Sequence, residues 1–194
     1  ALFTSIMGTA GLTLAWMQAQ HLGMVESRDI GIALRFLASV LYGVLLLFYG
    51  LKLLWFPEQV LADTRHPVRL NFLAAIPIAM LLLATAWYQD WPELARLFWW
   101  AAAISLLAVT VYTMSSWLHH THYEVTHVNP AWFIPVVGNA IAPIAGVQLA
   151  PQDLCWFFFS IGIVFWIVVM TIVMYRLFFH APLPERMTPT LFIL

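Results

Sequence analysis

Residues 129–146 read NPAWFIPVVGNAIAPIAG, and this stretch decides the predicted fold. It lies in a run from Val125 to Gln152 that contains no Asp, Glu, Lys or Arg. A charge at the centre of a bilayer costs at least about 2.5–3.5 kcal/mol, so a charge-free apolar run of this length predicts a membrane-spanning helix. The stretch also holds three prolines and two glycines. Interrupted backbone is tolerated at membrane depth where it is packed within protein or lines a water-filled cavity. The sequence therefore predicts a broken helix that faces away from lipid.

The composition indicates that the bilayer is the solvent for most of the molecule. Of the 194 residues, 63% are hydrophobic and 9% are charged, whereas a soluble domain has about 25% charged residues. The formal net charge of -1 gives no sign of the excess positive charge that nucleic-acid binding needs. The single cysteine, Cys155, excludes an internal disulfide and gives no redox or zinc signature. The ten tryptophans suit aromatic belts at the two membrane interfaces.

The other charge-free runs predict an all-α integral membrane protein with one transmembrane domain over residues 1–194. No stretch alternates apolar and polar residues as a transmembrane β-strand does. The chain enters an apolar run at once and stops inside another, so we expect a segment of a longer protein with further helices after residue 194. The predicted spans are 2–20, 34–56, 68–89, 94–118, 130–149 and 153–178, with the start of a seventh at 189–194.

Odd and even spans differ in their helix breakers, which predicts a repeated helical hairpin. Spans three, five and seven open on Pro67, Pro130 and Pro189, at intervals of about 60 residues. Breakers continue inside spans three and five, and span one has Gly8 and Gly11, whereas the even spans have no interior proline. Each unit is predicted to be a broken inner helix followed by a smooth outer helix, with the inner helices around a central pore. Glycine and proline are also common in membrane helices in general, and that alternative stays open.

The distribution of basic residues predicts a multi-pass protein of the cell's inner (plasma) membrane with a cytoplasmic amino terminus, because cytoplasmic loops carry more Lys and Arg. Five basic residues flank even-to-odd connections (Lys52, Arg65, Arg69, Arg176, Arg186) and three flank the others (Arg28, Arg35, Arg96). All odd helices then point the same way, with their amino-terminal ends on the cytoplasmic side. Each such end carries roughly half a positive charge, so their convergence favours anions. No acidic residue lies in mid-span, which favours a passive channel over a proton-coupled carrier.

Four segments resemble one known family. They are MGTAGLTLAW at 7–16, HPVRLNFLAAIP at 66–77, NPAWFIPVVGN at 129–139 and PTLFIL at 189–194. They are similar to helices one, three, five and seven of the tellurite-resistance/dicarboxylate transporter family, which includes bacterial TehA and the slow anion channels of plant guard cells. The resemblance implies ten helices in five hairpins around a central pore, of which this chain covers the first six to seven. Ile6 stands where TehA has a proline, and the family's gating phenylalanine lies on a helix beyond this chain.

The resemblance also implies a homotrimer in a lipid bilayer that passes small inorganic or organic anions, such as chloride and nitrate, or dicarboxylate, sulfite or tellurite. We predict no enzymatic activity, catalytic residue, cofactor or metal. Each kind of candidate residue also has a purely structural alternative. A proline can simply bend a packed helix, a polar side chain can bond a neighbouring helix, and a basic residue can simply set the topology. The pore-lining candidates are Gly8, Thr9, Thr13, Pro77, Pro135, Gly138, Asn139 and Pro143, and the cytoplasmic-mouth candidates are Lys52, Arg65 and Arg69.

A histidine cluster offers a second class of function. It comprises His119, His120, His122 and His127. Membrane di-iron oxidoreductases use histidine boxes near helix ends, but two coordination spheres need further boxes. The remaining histidines stand singly in this sequence. A membrane metalloenzyme is therefore the less favoured alternative, together with a proton-coupled dicarboxylate carrier.

Overall fold

The computed structural model describes residues 2–66, 68–119 and 125–193. These residues form helices and connecting turns without any β-strand, which confirms the all-α class. The α-helices are α1 (Phe3–His21), α2 (Arg28–Trp55), α3 (Pro57–Arg65), α4 (Ala75–Trp87), α5 (Pro92–His119), α6 (Phe133–Val137), α7 (Pro143–Leu149) and α8 (Gln152–Phe179). The 3₁₀ segments are Leu70–Ala74, Val125–His127, Pro130–Trp132, Gly138–Ile141 and Glu185–Ile193.

Five helical segments of the described chain are long and apolar enough to cross a membrane. They are α2, Leu70–Trp87, α5, Pro130–Leu149 and α8. We call Leu70–Trp87 span three and Pro130–Leu149 span five. The first predicted span corresponds to α1, which has 19 residues and no charged side chain but is less apolar than these five.

A Schellman turn ends α1. Gly23 has a φ of 71°, the amide of Gly23 donates to the carbonyl of Gln20, and the amide of Met24 donates to the carbonyl of Ala19. Glycine adopts this left-handed conformation without the steric penalty of a Cβ atom. The turn sends the chain back into α2, so α1 and α2 form the first antiparallel hairpin.

The second helix begins at Arg28, six residues before the predicted boundary, and includes a buried arginine. The guanidinium of Arg35 pairs with the carboxylate of Asp90, donates to the carbonyl of Ala86 and lies 4.0 Å from the ring centroid of Trp87. These partners lie more than fifty residues away in the sequence, so the sequence alone does not show what compensates the charge of Arg35 inside the helix. The nine-residue helix α3, which follows α2 directly, also lies outside the predicted spans.

Spans three and five are broken as predicted. In span three the 3₁₀ segment Leu70–Ala74 precedes α4, and Pro77 stands in the first turn of α4, where a missing amide costs little. Span five changes from 3₁₀ to α-helix twice along its length. The side chain of Asn129 caps its start by accepting from the amide of Ala131 at 2.9 Å, as its sequence position predicts.

Burial separates the broken spans from the smooth ones. In the most apolar 18 residues of each span, 72% are buried in span three and 61% in span five, against 22% in α2, 33% in α5 and 22% in α8. The last three are uninterrupted helices of 28 residues each. Their exposed side chains are large and apolar, such as Phe48, Ile104 and Trp156, which suits contact with lipid. We therefore call spans three and five inner helices, and α2, α5 and α8 outer helices. Four of the 19 residues of α1 are buried, and α1 is grouped with the inner helices on its sequence pattern.

The start of the predicted seventh span is a 3₁₀ segment, Glu185–Ile193, which packs against Pro130–Trp132 at the start of span five. Thr188 and Pro189 lie inside this segment. Pro67, at the predicted start of span three, and Leu194 lie outside the described residues.

Candidate functional site

The amino-terminal ends of the inner helices gather on one side of the bundle. The segment Leu70–Ala74 contacts both α6 and Pro130–Trp132, and Pro130–Trp132 contacts Glu185–Ile193. Leu2 and Phe3, at the start of α1, line one cavity together with Leu70. The inner helices therefore run in the same direction, as the sequence predicts, and the positive ends of their peptide dipoles lie on a common side.

A buried polar cluster holds the break in span five. The hydroxyl oxygen of Thr110 on α5 lies 2.6 Å from the carbonyl oxygen of Pro135. The Nδ2 of Asn139, which has two hydrogens to donate, lies 2.9 Å from this hydroxyl oxygen and within 3.2 Å of the carbonyl oxygens of Pro135 and Val136. These carbonyls stand where α-helix gives way to 3₁₀ backbone, and side-chain hydrogen bonds add to their backbone contacts there.

Close backbone packing surrounds the same break. A Cβ atom on Gly138 would lie 2.3 Å from Cδ1 of Ile78 in span three. A Cβ atom on Gly146 would lie 2.8 Å from Sγ of Cys155 on α8. The indole of Trp99 on α5 donates to the carbonyl of Ala142 at 2.8 Å. The breaks of span five are therefore packed against span three and two outer helices.

The predicted pore-lining residues lie in different environments. Four are buried in the break region, namely Pro77, Pro135, Gly138 and Asn139, and Pro143 is half-buried beside them. Thr13 is fully buried and donates to the carbonyl of Thr9, and the hydroxyl of Thr9 donates to the carbonyl of Ile6. Gly8 is exposed, with nothing within 4 Å of a Cβ placed on it.

The contacts of these predicted residues support different roles. The bonds of Asn139 favour the alternative in which it ties span five to a neighbouring helix. A lumen-facing role for the eight residues stays a prediction, and Gly8 is the one that already faces open space.

One face of α1 was missed by the sequence reasoning. Ser5, Gly8, Leu12 and Ala15 are exposed and recur at intervals of three and four residues, so they form one face of the helix. This face is made of mainly small side chains, whereas the exposed side chains of α2 are bulky and apolar. The sequence contains a signal for this face, since its small residues recur at helical spacing. The pore-lining candidates from α1, however, include only Gly8, Thr9 and Thr13.

The predicted mouth residues lie beside the gathered amino-terminal ends. The ammonium of Lys52 donates to the carboxylate of Asp63 at 2.5 Å, and the guanidinium of Arg69 donates to the same carboxylate at 2.8 Å. These hydrogen bonds, that of Lys52 first, hold the pKa of Asp63 below its usual range. Arg65 is exposed at the end of α3. Of the three cations, Lys52 and Arg69 thus share one acid.

The histidine cluster is only partly described. His120 and His122 lie outside the described residues, and Nδ1 of His119 lies 2.9 Å from the carbonyl oxygen of Ser115. Among residues 2–66, 68–119 and 125–193, no group of three or more His, Cys, Asp or Glu side chains is placed to hold a metal ion.

Broken inner helices, lipid-compatible outer helices and a common amino-terminal side define an all-α, multi-pass integral membrane protein. The chain matches the SLAC1 family of voltage-dependent anion channels over residues 1–194 and belongs to that family.

Curated relatives agree with this family. The chain is 27% identical over 204 residues to an uncharacterized transporter of Methanocaldococcus jannaschii, covering 98% of this chain and 59% of the relative. It is 28% identical over 172 residues to the tellurite resistance protein TehA homolog of Haemophilus influenzae, covering 88% and 52%. It is 26% identical over 147 residues to the S-type anion channel SLAH2 of Arabidopsis thaliana, covering 75% and 28%. The chain thus spans little more than half the length of the first two of these relatives.

Proposed function

We propose that the whole protein passes small anions across the membrane along a path beside the inner helices, with the exposed face of α1 as one wall. The observation that carries the proposal is the contrast between exposed faces. Ser5, Gly8 and Ala15 expose little apolar area, and Leu12 is the single large apolar side chain among the four residues of this face, whereas α2, α5 and α8 each present several. A face of small and polar groups suits a hydrated path better than a lipid contact.

Electrostatics support an anionic solute. The positive dipole ends of the inner helices lie on the side that also holds Lys52, Arg65 and Arg69. In the described spans every Asp or Glu lies within two residues of a helix end, as Asp29, Glu93 and Asp153 do, or follows a helix, as Asp90 does. An acidic coupling site at mid-depth is the usual feature of proton-coupled carriers, so these spans favour passive conduction.

The finer assignments follow from the family and from the sequence. We propose the inner (plasma) membrane, a cytoplasmic amino terminus and a homotrimer. The names of relatives indicate anions or tellurite for those proteins. For this chain, chloride, nitrate, dicarboxylate, sulfite and tellurite are the proposed solutes. Transport, and not catalysis, is the proposed activity.

Voltage-clamp recording of the whole protein in planar bilayers tests the proposal. Under a chloride gradient with symmetrical potassium ions, maintained by an impermeant counter-anion, we expect the reversal potential to follow chloride. A reversal potential that follows a potassium gradient instead would refute anion conduction. Flux that collapses with the proton gradient and ignores the anion potential would favour the proton-coupled dicarboxylate carrier.

A further inference from the structure

A cavity of about 540 Å³ lies where α1, α2, α3 and the start of span three diverge. Its walls include Phe3, Leu45, Phe48, Leu73 and Ile76. Leu45 and Lys52 lie seven residues apart on α2, so the cavity extends about 10 Å along that helix. Phe48 is 64% exposed on the outer surface of α2, and the cavity therefore opens toward the lipid-facing side of the bundle.

The end of the cavity near α3 is polar and carries a net positive charge. Lys52, Asp63 and Arg69 all line it, and the two cations share the one carboxylate. Lysine has three donors and arginine five, so both keep donors beyond those given to Asp63. The side chain of Arg69 is 65% exposed, which leaves its remaining donors accessible. An apolar slot therefore leads to a cluster with one positive charge in excess.

We propose that this cavity binds an anionic phospholipid. The phosphate of the headgroup is held by Lys52 and Arg69, and one acyl chain lies along Leu45, Phe48 and Ile76. A phosphodiester carries one negative charge, which matches the excess charge of the cluster. Basic pockets between membrane helices on the cytoplasmic side are recognised sites for anionic headgroups, and the apolar slot supplies the contact with the tail. The site shares Lys52 and Arg69 with the proposed cytoplasmic mouth, but its test reads bound lipid and not flux.

The experiment measures how much lipid the whole protein retains. The protein is reconstituted in vesicles that contain equal amounts of phosphatidylglycerol and phosphatidylcholine and is then extracted in mild detergent. Native mass spectrometry identifies the lipids that stay bound. We expect the wild-type protein to retain phosphatidylglycerol in preference to phosphatidylcholine. The double variant Lys52→Gln/Arg69→Gln should lower this preference by about fivefold for each cation removed. Equal retention of both lipids by the wild-type protein would overturn the proposal.

Asp63→Asn is the matched control, because it breaks the same two ion pairs but leaves both cations in place. We expect it to raise retention of phosphatidylglycerol, whereas general damage to the cluster would lower retention in both variants. Leu45→Trp, which fills the slot without changing charge, should lower retention of either lipid. Unchanged retention in both Leu45→Trp and the double variant would overturn the proposal, as would a cross-link showing that a second copy of the chain fills the slot.

Discussion

The hydroxyl oxygen of Thr110 lies 2.6 Å from the carbonyl oxygen of Pro135, so an outer helix makes a polar contact with the backbone of span five at its break. The same oxygen lies 2.8 Å from the carbonyl oxygen of Leu106 and accepts from Nδ2 of Asn139. A break inside a bilayer is stable only when such groups are satisfied by protein, since lipid offers none. This cluster thus allows span five to bend without exposing its backbone.

Replacing Thr110 tests the role of this cluster. Thr110→Val keeps the shape of the side chain but removes the hydroxyl, so we expect a loss of about 1–2 kcal/mol in the free energy of unfolding. Thr110→Ser keeps the hydroxyl and should lose less. Unfolding in mixed micelles with increasing dodecyl sulfate measures both variants. Equal stability of the valine and serine variants would show that the hydroxyl does not support the break.

The close approach of α8 to span five gives a second prediction. A Cβ atom on Gly162 would lie 2.7 Å from the backbone nitrogen of Ala140, and backbone cannot move aside as a side chain can. Gly162→Ala should therefore lower stability by about 1–3 kcal/mol. Gly43→Ala is the control on another outer helix, where nothing lies within 4 Å of the added atom. It should be neutral or stabilising by up to about 1 kcal/mol, because alanine favours helix. Similar losses in both variants would contradict the observed packing.

The ion pairs of Asp63 predict a dependence of stability on acid pH. The pKa of Asp63 is lowered in the folded protein, so its ionised form stabilises the fold. This stabilisation is fully present above the ordinary pKa of aspartate, about 3.9. It is lost as the pH falls through the lowered pKa of the folded state. The melting temperature of the wild-type protein should exceed that of Asp63→Asn near neutral pH, and the gap should close in acid. Glu58→Gln, an exposed change on the same helix, should show no such gap. A gap for Asp63→Asn that is independent of pH would contradict the ion-pair explanation.

The exposed face of α1 predicts where bulk blocks conduction. Gly8→Phe places a large side chain on the proposed wall of the path, where the structure has open space, so the anion current should fall several-fold without a loss of stability. Gly43→Phe adds the same side chain in open space on α2, which we assign to lipid contact, and should leave the current unchanged. Single-channel recording and thermal unfolding of both variants provide the measurements. Equal currents from the two variants would show that the anion path does not run along α1.

The sequence by itself determined the all-α membrane class of the protein, and it predicts the positions of the spans and which of them are broken. These features are local: the absence of charge over some twenty residues requires a span, and proline or glycine interrupts the helix in which it stands. The predicted break of span five accordingly has the expected form in the structure.

Only the tertiary structure decided which side chains complete those breaks and which face stays open. Arg35 lies inside a span because Asp90 and Trp87 meet it there, and Asn139 turns to Thr110 across 29 residues of sequence. The open face of α1 likewise depends on which neighbours pack beside it. Hydrophobicity and backbone preference belong to each segment alone, whereas hydrogen-bond partners and exposure arise only when segments pack together.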